Sequence, residues 1–133
     1  MNISFEFFPA RTEHGEKALN EVQKKLSAIK PEFFSVTFGA LGSSQDATFE
    51  TITDLLKNTN VPIAPHLTCV GINKSQATTL LDKYIELGVN RVMVLKGDTP
   101  TPKVRFPYKN SRDKGDFHFA NEMVEFIKEH YKG

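Results

Sequence analysis

At 133 residues the chain is long enough for one domain with a real core and too short for two. A hydrophobic share of 39% and a charged share of 25% are those of an ordinary globular protein, and a net charge of +1 leaves no footprint for a nucleic acid or an anionic membrane surface. A single cysteine, Cys69, excludes an internal disulfide and most cysteine-based zinc sites, which fits a reducing, cytoplasmic compartment. The opening residues Met1 to Glu6 lack the basic and long apolar regions of a signal peptide, and no apolar run approaches the roughly 20 residues of a membrane span.

Ile3 to Phe8 reads as a strand with Ile3, Phe5 and Phe7 on one face and Ser4, Glu6 and Phe8 on the other. Pro9 ends it. Thr12 is placed to cap a helix whose apolar stripe is Ala18, Leu19, Val22, Leu26 and Ile29, closed by Lys30-Pro31. Phe33 to Phe38 is a second strand, with Phe34, Val36 and Phe38 opposite Ser35 and Thr37. After a loop from Gly39 to Gln45, Asp46 is placed to cap a helix bearing Phe49, Ile52, Leu55 and Leu56, and Pro62 lies just beyond its end. Ile63 to Cys69 is a third strand, with Ala64, His66 and Thr68 on one face. Asn73 or Ser75 caps the next helix, which carries Ala77, Leu80, Leu81, Tyr84 and Leu87 and stops at Gly88. Val92 to Leu95 is a fourth strand, ended by Lys96-Gly97-Asp98. A proline-bearing, basic stretch from Thr99 to Asp116 reads as a long loop, its cations a solvated face or a hold on a phosphate-bearing cofactor. A last helix runs from about Phe119 to Tyr131.

The order is βαβαβαβα, with units at about 1–30, 31–60, 61–90 and 91–133. Glu6, Thr37, His66 and Lys96 follow one another near the strand ends at intervals of 31, 29 and 30 residues, the length of one βα unit in a parallel sheet. An open doubly wound sheet and half of a (β/α)₈ barrel both accept this pattern. Small or polar residues alternate along one face of the first three strands, whereas a sheet covered by helices on both faces favours continuous apolar runs. The first turn, Pro9-Ala10-Arg11-Thr12, also lacks the glycines of a dinucleotide-binding turn. The expectation is therefore an α/β fold: one half-barrel domain over residues 1–133, the N-terminal half of a (β/α)₈ TIM barrel.

Glu6 stands out because it interrupts an apolar strand. It is either a solvated edge residue or a partly desolvated carboxyl able to hold a proton near neutral pH and deliver it to a leaving atom. His66 reads equally as a hydrogen-bonded structural histidine or a ligand contact, and Thr37 as a strand-end hydroxyl or a cofactor contact. Lys96 and Asp98 are either a mutual salt bridge around a turn or part of the same rim. No second His or Cys stands at a metal-ligand spacing from His66, so no metal is expected.

Four motifs then occur in one order: Ser4-Phe5-Glu6-Phe7-Phe8-Pro9 with Arg11, Ser35-Val36-Thr37-Phe38-Gly39-Ala40, Pro65-His66-Leu67-Thr68-Cys69, and Leu95-Lys96-Gly97-Asp98. From residue 3 to about residue 127 the chain resembles the methylenetetrahydrofolate reductases, bacterial type. The resemblance implies a flavin-bearing barrel in which NAD(P)H reduces FAD and the flavin passes a hydride to methylenetetrahydrofolate, giving methyltetrahydrofolate. It implies that Glu6 is the general acid that aids opening of the folate ring to an iminium, and that Asp98 is a carboxylate beside flavin and pterin. It implies that Thr37 and Phe38 contact nicotinamide and flavin, and that Ala40, His66, Lys96, Gly97 and Ala120 contact FAD. Lys96 stands where many members have arginine, and Phe38 where a tyrosine is common. The family's barrel has four further βα units, absent here. The resemblance thus implies weak FAD binding, little reductase activity in this chain alone, and self-association through the open half-barrel. The alternative is a non-catalytic flavodoxin-like or receiver-like module with helices on both sheet faces.

Overall fold

In the computed structural model, residues 2–38, 45–98 and 115–131 are described. The chain alternates strand and helix: β1 (Ser4–Phe7), α1 (Glu13–Ser27), β2 (Phe33–Val36), α2 (Gln45–Asn58), β3 (Ile63–Thr68), α3 (Lys74–Glu86), β4 (Met93–Leu95) and α4 (Ala120–His130). All three strand pairings are parallel, and the order in the sheet is β1-β2-β3-β4. A doubly wound sheet reverses its strand order at a switch point. This one winds in a single direction, as the staves of a barrel do, and the fold is α/β with the topology of half a (β/α)₈ barrel. The flavodoxin-like alternative therefore does not describe this sheet.

The register sorts the two faces. Glu6 pairs with Ser35 and Ser35 with Ala64, while Phe5 pairs with Phe34 and Phe34 with Ile63. The second set turns toward the helices. Phe7, Phe34, Val36, Ile63 and Leu67 join Ile52, Leu55, Leu80, Leu81, Tyr84, Met123 and Phe126 in one buried cluster. Phe7 meets Phe34 edge-on at 5.0 Å between ring centroids. Glu6, Ser35, Ala64, His66 and Thr68 lie outside that cluster, on the opposite face of the sheet.

Local chemistry sets the helix ends. Thr12 caps α1 through Gly15 N–H at 3.1 Å. Asn73 rather than Ser75 caps α3, in a reciprocal box with Gln76: Gln76 N–H donates to Asn73 Oδ1 at 2.8 Å, and Asn73 N–H donates to Gln76 Oε1 at 2.9 Å. Asp116 adds a second acceptor at that end, taking Lys74 N–H at 2.8 Å. Gly88 follows α3 with φ 87°, the left-handed C′ conformation that glycine adopts without penalty. Asp46 lies inside α2, whose first residue is Gln45, so it acts on the helix dipole and not as the cap.

Helix α1 departs from the expected pattern. Val22 is 46% and Ile29 61% exposed, and the buried residue of the helix is Gln23. Its side-chain amide donates to Ser27 Oγ at 2.7 Å, and that hydroxyl lies 3.0 Å from Thr59 Oγ1. The flank of α1 toward α2 is thus held by polar groups. Leu19 and Leu26 still pack against the buried cluster, while Ala18, Leu19 and Val22, with Phe7, Phe8, Ala10 and Gly15, line an open apolar groove of about 340 Å³.

Candidate active site

The polar face of the sheet is built from short side chains. Ser35, Thr37 and Ala64 are nearly inaccessible, at 2%, 5% and 3% exposure. With nothing tall on β2, the Glu6 carboxylate reaches over that strand to β3. There Oε2 lies 3.2 Å from His66 Nε2. The approach is close enough for a charge interaction but not aligned as a hydrogen bond, so Nε2 is buried without a hydrogen-bond partner. Burial pushes the His66 pKa below its ordinary value, and the neighbouring Glu6 charge opposes that only in part. The imidazole is neutral at pH 7. The Glu6 side chain is 47% exposed, between the solvated and the desolvated readings of the sequence.

Thr37 stands one step beyond β2, and its backbone N–H still donates to Phe7 O at 3.0 Å. Its buried hydroxyl, like His66 Nε2, has no hydrogen-bond partner. Two buried polar atoms without a hydrogen-bond partner are costly unless something else completes them. Phe38 lies elsewhere: its side chain is 7% exposed and belongs to the buried cluster on the helix side, leaving its backbone as the part near the strand ends.

Strands β3 and β4 run on together past their last paired residues. Cys69 N–H donates to Leu95 O at 2.9 Å and Val70 N–H to Lys96 O at 3.0 Å. The Cys69 thiol donates to Lys96 O at 3.3 Å, and burial raises its pKa, so it is not a thiolate nucleophile at neutral pH. Gly97 has φ 82°, and a Cβ there would stand 3.0 Å from Thr68 Cβ, so glycine is required both by conformation and by close approach. Lys96 Nζ lies 5.4 Å from the centre of the Phe119 ring, which immediately precedes Ala120 at the start of α4. That start is fixed by Glu122, whose carboxylate accepts His118 N–H at 2.6 Å and Phe119 N–H at 3.3 Å, and these bonds lower its pKa.

The structure therefore brings Glu6, Thr37 and His66 to one face, and Lys96, Gly97 and the start of α4 to the far end of β4. Asp98 is exposed beyond that strand, and among the described residues no ion pair joins it to Lys96 or to Glu6. Ala40 lies outside the described residues. Two participants escaped the sequence reading. Ser35 had a visible signal, a small residue between Phe34 and Val36, but its role as the gap under Glu6 needs the register. Phe119 had none, since its meeting with Lys96 is purely tertiary. Among the described residues no group of three His, Cys, Asp or Glu is arranged to hold a metal ion, and no helix is long and apolar enough to cross a membrane.

Comparison with known proteins gives the lineage of this arrangement. The family model for methylenetetrahydrofolate reductase matches residues 1–133. The 5,10-methylenetetrahydrofolate reductase of Pectobacterium carotovorum is 39% identical over 129 residues, covering 97% of this chain and 40% of that protein. The enzyme of the same name from Escherichia coli K12 is 38% identical over the same share of each. A maize protein named methylenetetrahydrofolate reductase (NADH) 1 is 31% identical over 97% of this chain and 21% of its own length. The chain thus spans about 40% of the bacterial relatives it matches. With the model matched along its whole length, and the parallel sheet bearing Glu6, Thr37 and His66 on one face, the chain belongs to the methylenetetrahydrofolate reductase family.

Proposed function

We propose that this chain contributes the acid-bearing face to a flavin-dependent reduction of 5,10-methylenetetrahydrofolate to 5-methyltetrahydrofolate with NAD(P)H as the reductant. The observation that carries the reading is the polar face itself: a carboxyl that is still accessible shares it with two buried polar atoms that have no hydrogen-bond partner. Thr37 Oγ1 suits the polar edge of a flat heteroaromatic group, and the His66 ring can lie against it, so the residues present fit FAD. Thr37 and His66 would hold its ring, with the Phe38 backbone and Ala40 beside them. Lys96, Gly97 and Ala120 would hold its remainder. Bound there, the flavin supplies the hydride.

The chain's own contribution is the proton and the geometry. Glu6 delivers a proton to the folate nitrogen that leaves as the ring opens, and Asp98 orients the pterin. A desolvated site strengthens both roles, and Glu6 remains half-exposed in these four units. A polypeptide of these 133 residues accordingly binds FAD weakly and turns over little. It also self-associates. Among the described residues β1 and β4 each pair on one side only, and two copies of four parallel strands supply the eight a closed barrel needs. Sedimentation as a monomer at high concentration would contradict that association.

The test of function is a pair of reactions measured on a full-length family enzyme carrying this segment. Glu6→Gln should leave NADH-to-quinone turnover intact and lower folate reduction by roughly 10²–10⁴-fold, the range for loss of a general acid. Equal losses in both reactions would make Glu6 structural and end the proposal.

A further inference from the structure

On the polar face, the paired residues of β1 to β4 carry two ionisable side chains, Glu6 and His66, and these two meet. From β2 the face presents Ser35 and Thr37, from β3 also Ala64 and Thr68, and from β4 Met93 and Leu95, none of which titrates. Among the described residues, charged side chains also flank the ends of β4. Arg91 precedes β4 with its guanidinium 5.9 Å from the Phe33 ring, and Lys96 and Asp98 follow β4. His66 is rigidly placed, at 6% exposure within a six-residue strand, whereas Glu6 sits on an edge strand and is half-exposed. A fixed imidazole beside a movable carboxyl can hold the carboxyl in place.

We infer that His66 is a positioning residue for Glu6: its buried Nε2 and the Glu6 carboxyl share one proton across β2 and hold the carboxyl over the polar face of the sheet. This rests on the reading of Glu6 as the proton donor, but the pairing is testable apart from it. The carboxylate and the neutral imidazole together take up one proton. That proton sits either on Nε2, as an imidazolium facing a carboxylate, or on the carboxyl, donating to a bare Nε2 while Nδ1 keeps its own hydrogen. Ser35 is part of the device, because a larger side chain at that position would stand between the two groups.

The experiment is a pH titration of the intact chain, labelled at histidine and glutamate, followed by NMR. The chain has four histidines, His14, His66, His118 and His130, and His66→Asn identifies the resonance that matters. In the unaltered protein the Glu6 carboxyl carbon should show an inflection at the His66 midpoint. Glu6→Gln should move the His66 midpoint to lower pH and leave the other three in place, with Glu6→Asp between. An unmoved His66 midpoint in Glu6→Gln, or a Glu6 carbon that passes through it without inflection, overturns the pairing. If the coupling is found while Glu6→Gln leaves folate reduction intact, the pairing stands and the proton-donor reading of Glu6 fails.

Discussion

Three glycines with positive φ offer a graded test of how the strand ends are packed. Gly88, Gly97 and Gly115 have φ of 87°, 82° and 68°, so alanine at any of them meets the same left-handed penalty, roughly 1–2 kcal/mol. What differs is the space. A Cβ at Gly88 has nothing within 4 Å. At Gly97 it stands 3.0 Å from Thr68 Cβ and 3.4 Å from Thr68 Cγ2, so β4 and β3 must separate by a few tenths of an ångström. At Gly115 it stands 2.6 Å from Ile72 O, which accepts Asp116 N–H at 3.0 Å, and 2.9 Å from Ile72 N, which donates to Cys69 O at 3.4 Å, so this backbone is tied on both sides. Gly88→Ala should therefore cost only the conformational term. Gly97→Ala should cost about 1 kcal/mol more, in line with mild overpacking, and Gly115→Ala roughly 3 kcal/mol or above in total. Urea unfolding followed by far-ultraviolet circular dichroism reads the series directly, with thermal midpoints falling by roughly 3–5 °C per kcal/mol for a domain of this size. Equal losses at all three positions would show that conformation alone matters and that the close approach of Gly97 to Thr68 is not a real constraint.

Other predictions follow from single groups. The folded His66 binds its proton at a lower pH than the ordinary 6.5, so the unfolded chain gains protons first on acidification. Stability should fall from about pH 6.5 downward and level off below the folded value, and His66→Asn should flatten that part of the pH profile in urea titrations. Tyr131 donates to Asp82 Oδ1 at 2.8 Å, and burial with that carboxylate raises its pKa to about 12. Its stabilising effect is whole below pH 10 and is lost as pH rises through the folded value; ultraviolet titration should show a late-ionising phenol that Tyr131→Phe removes. Asn73→Ala should cost about 0.5–1 kcal/mol in thermal or urea unfolding, the low end for an N-cap, because Asp116 still accepts Lys74 N–H.

The parallel order and the division of the sheet into two faces were legible because each rests on short-range regularity. Alternation in Phe33 to Phe38 assigns Phe34 and Val36 to the helices and Ser35 and Thr37 to the other side, and the register agrees. The apolar stripe of α1 was legible in part: Leu19 and Leu26 pack against the core, whereas Val22 and Ile29 are exposed. Helical spacing says that Ala18, Val22 and Ile29 share a side, but not whether anything stands opposite. Here Ala18 and Val22 line the groove beside Phe7 and Phe8, Ile29 is exposed, and Gln23 and Ser27 reach Thr59 just past α2. Phe38 shows the same limit at the site: its parity places it with Phe34 and Val36, and that parity outweighs its closeness in sequence to Thr37.

Two separate features of the molecule call for the same completion. The groove along Ala18, Leu19 and Val22 is apolar surface at the outer side of the β1 edge, and the Glu6 carboxyl is a half-exposed group on the inner side of that same strand. Apolar groups facing water and a proton donor facing water are disadvantages of different kinds, one of stability and one of reactivity. A strand laid against β1, with its helix against α1, would remove both together. It would cover the groove, extend the polar face past Glu6, and confine the carboxyl between that strand and His66. Covering the β1 edge and confining the proton donor are therefore coupled by geometry, so a change that weakens packing in the α1 groove, such as Val22→Asp, should reduce association of the chain and loosen the Glu6–His66 pair at once. Val22→Asp that abolishes association while the His66 titration stays unchanged would separate the two and show that the pair is set by β1, β2 and β3 alone.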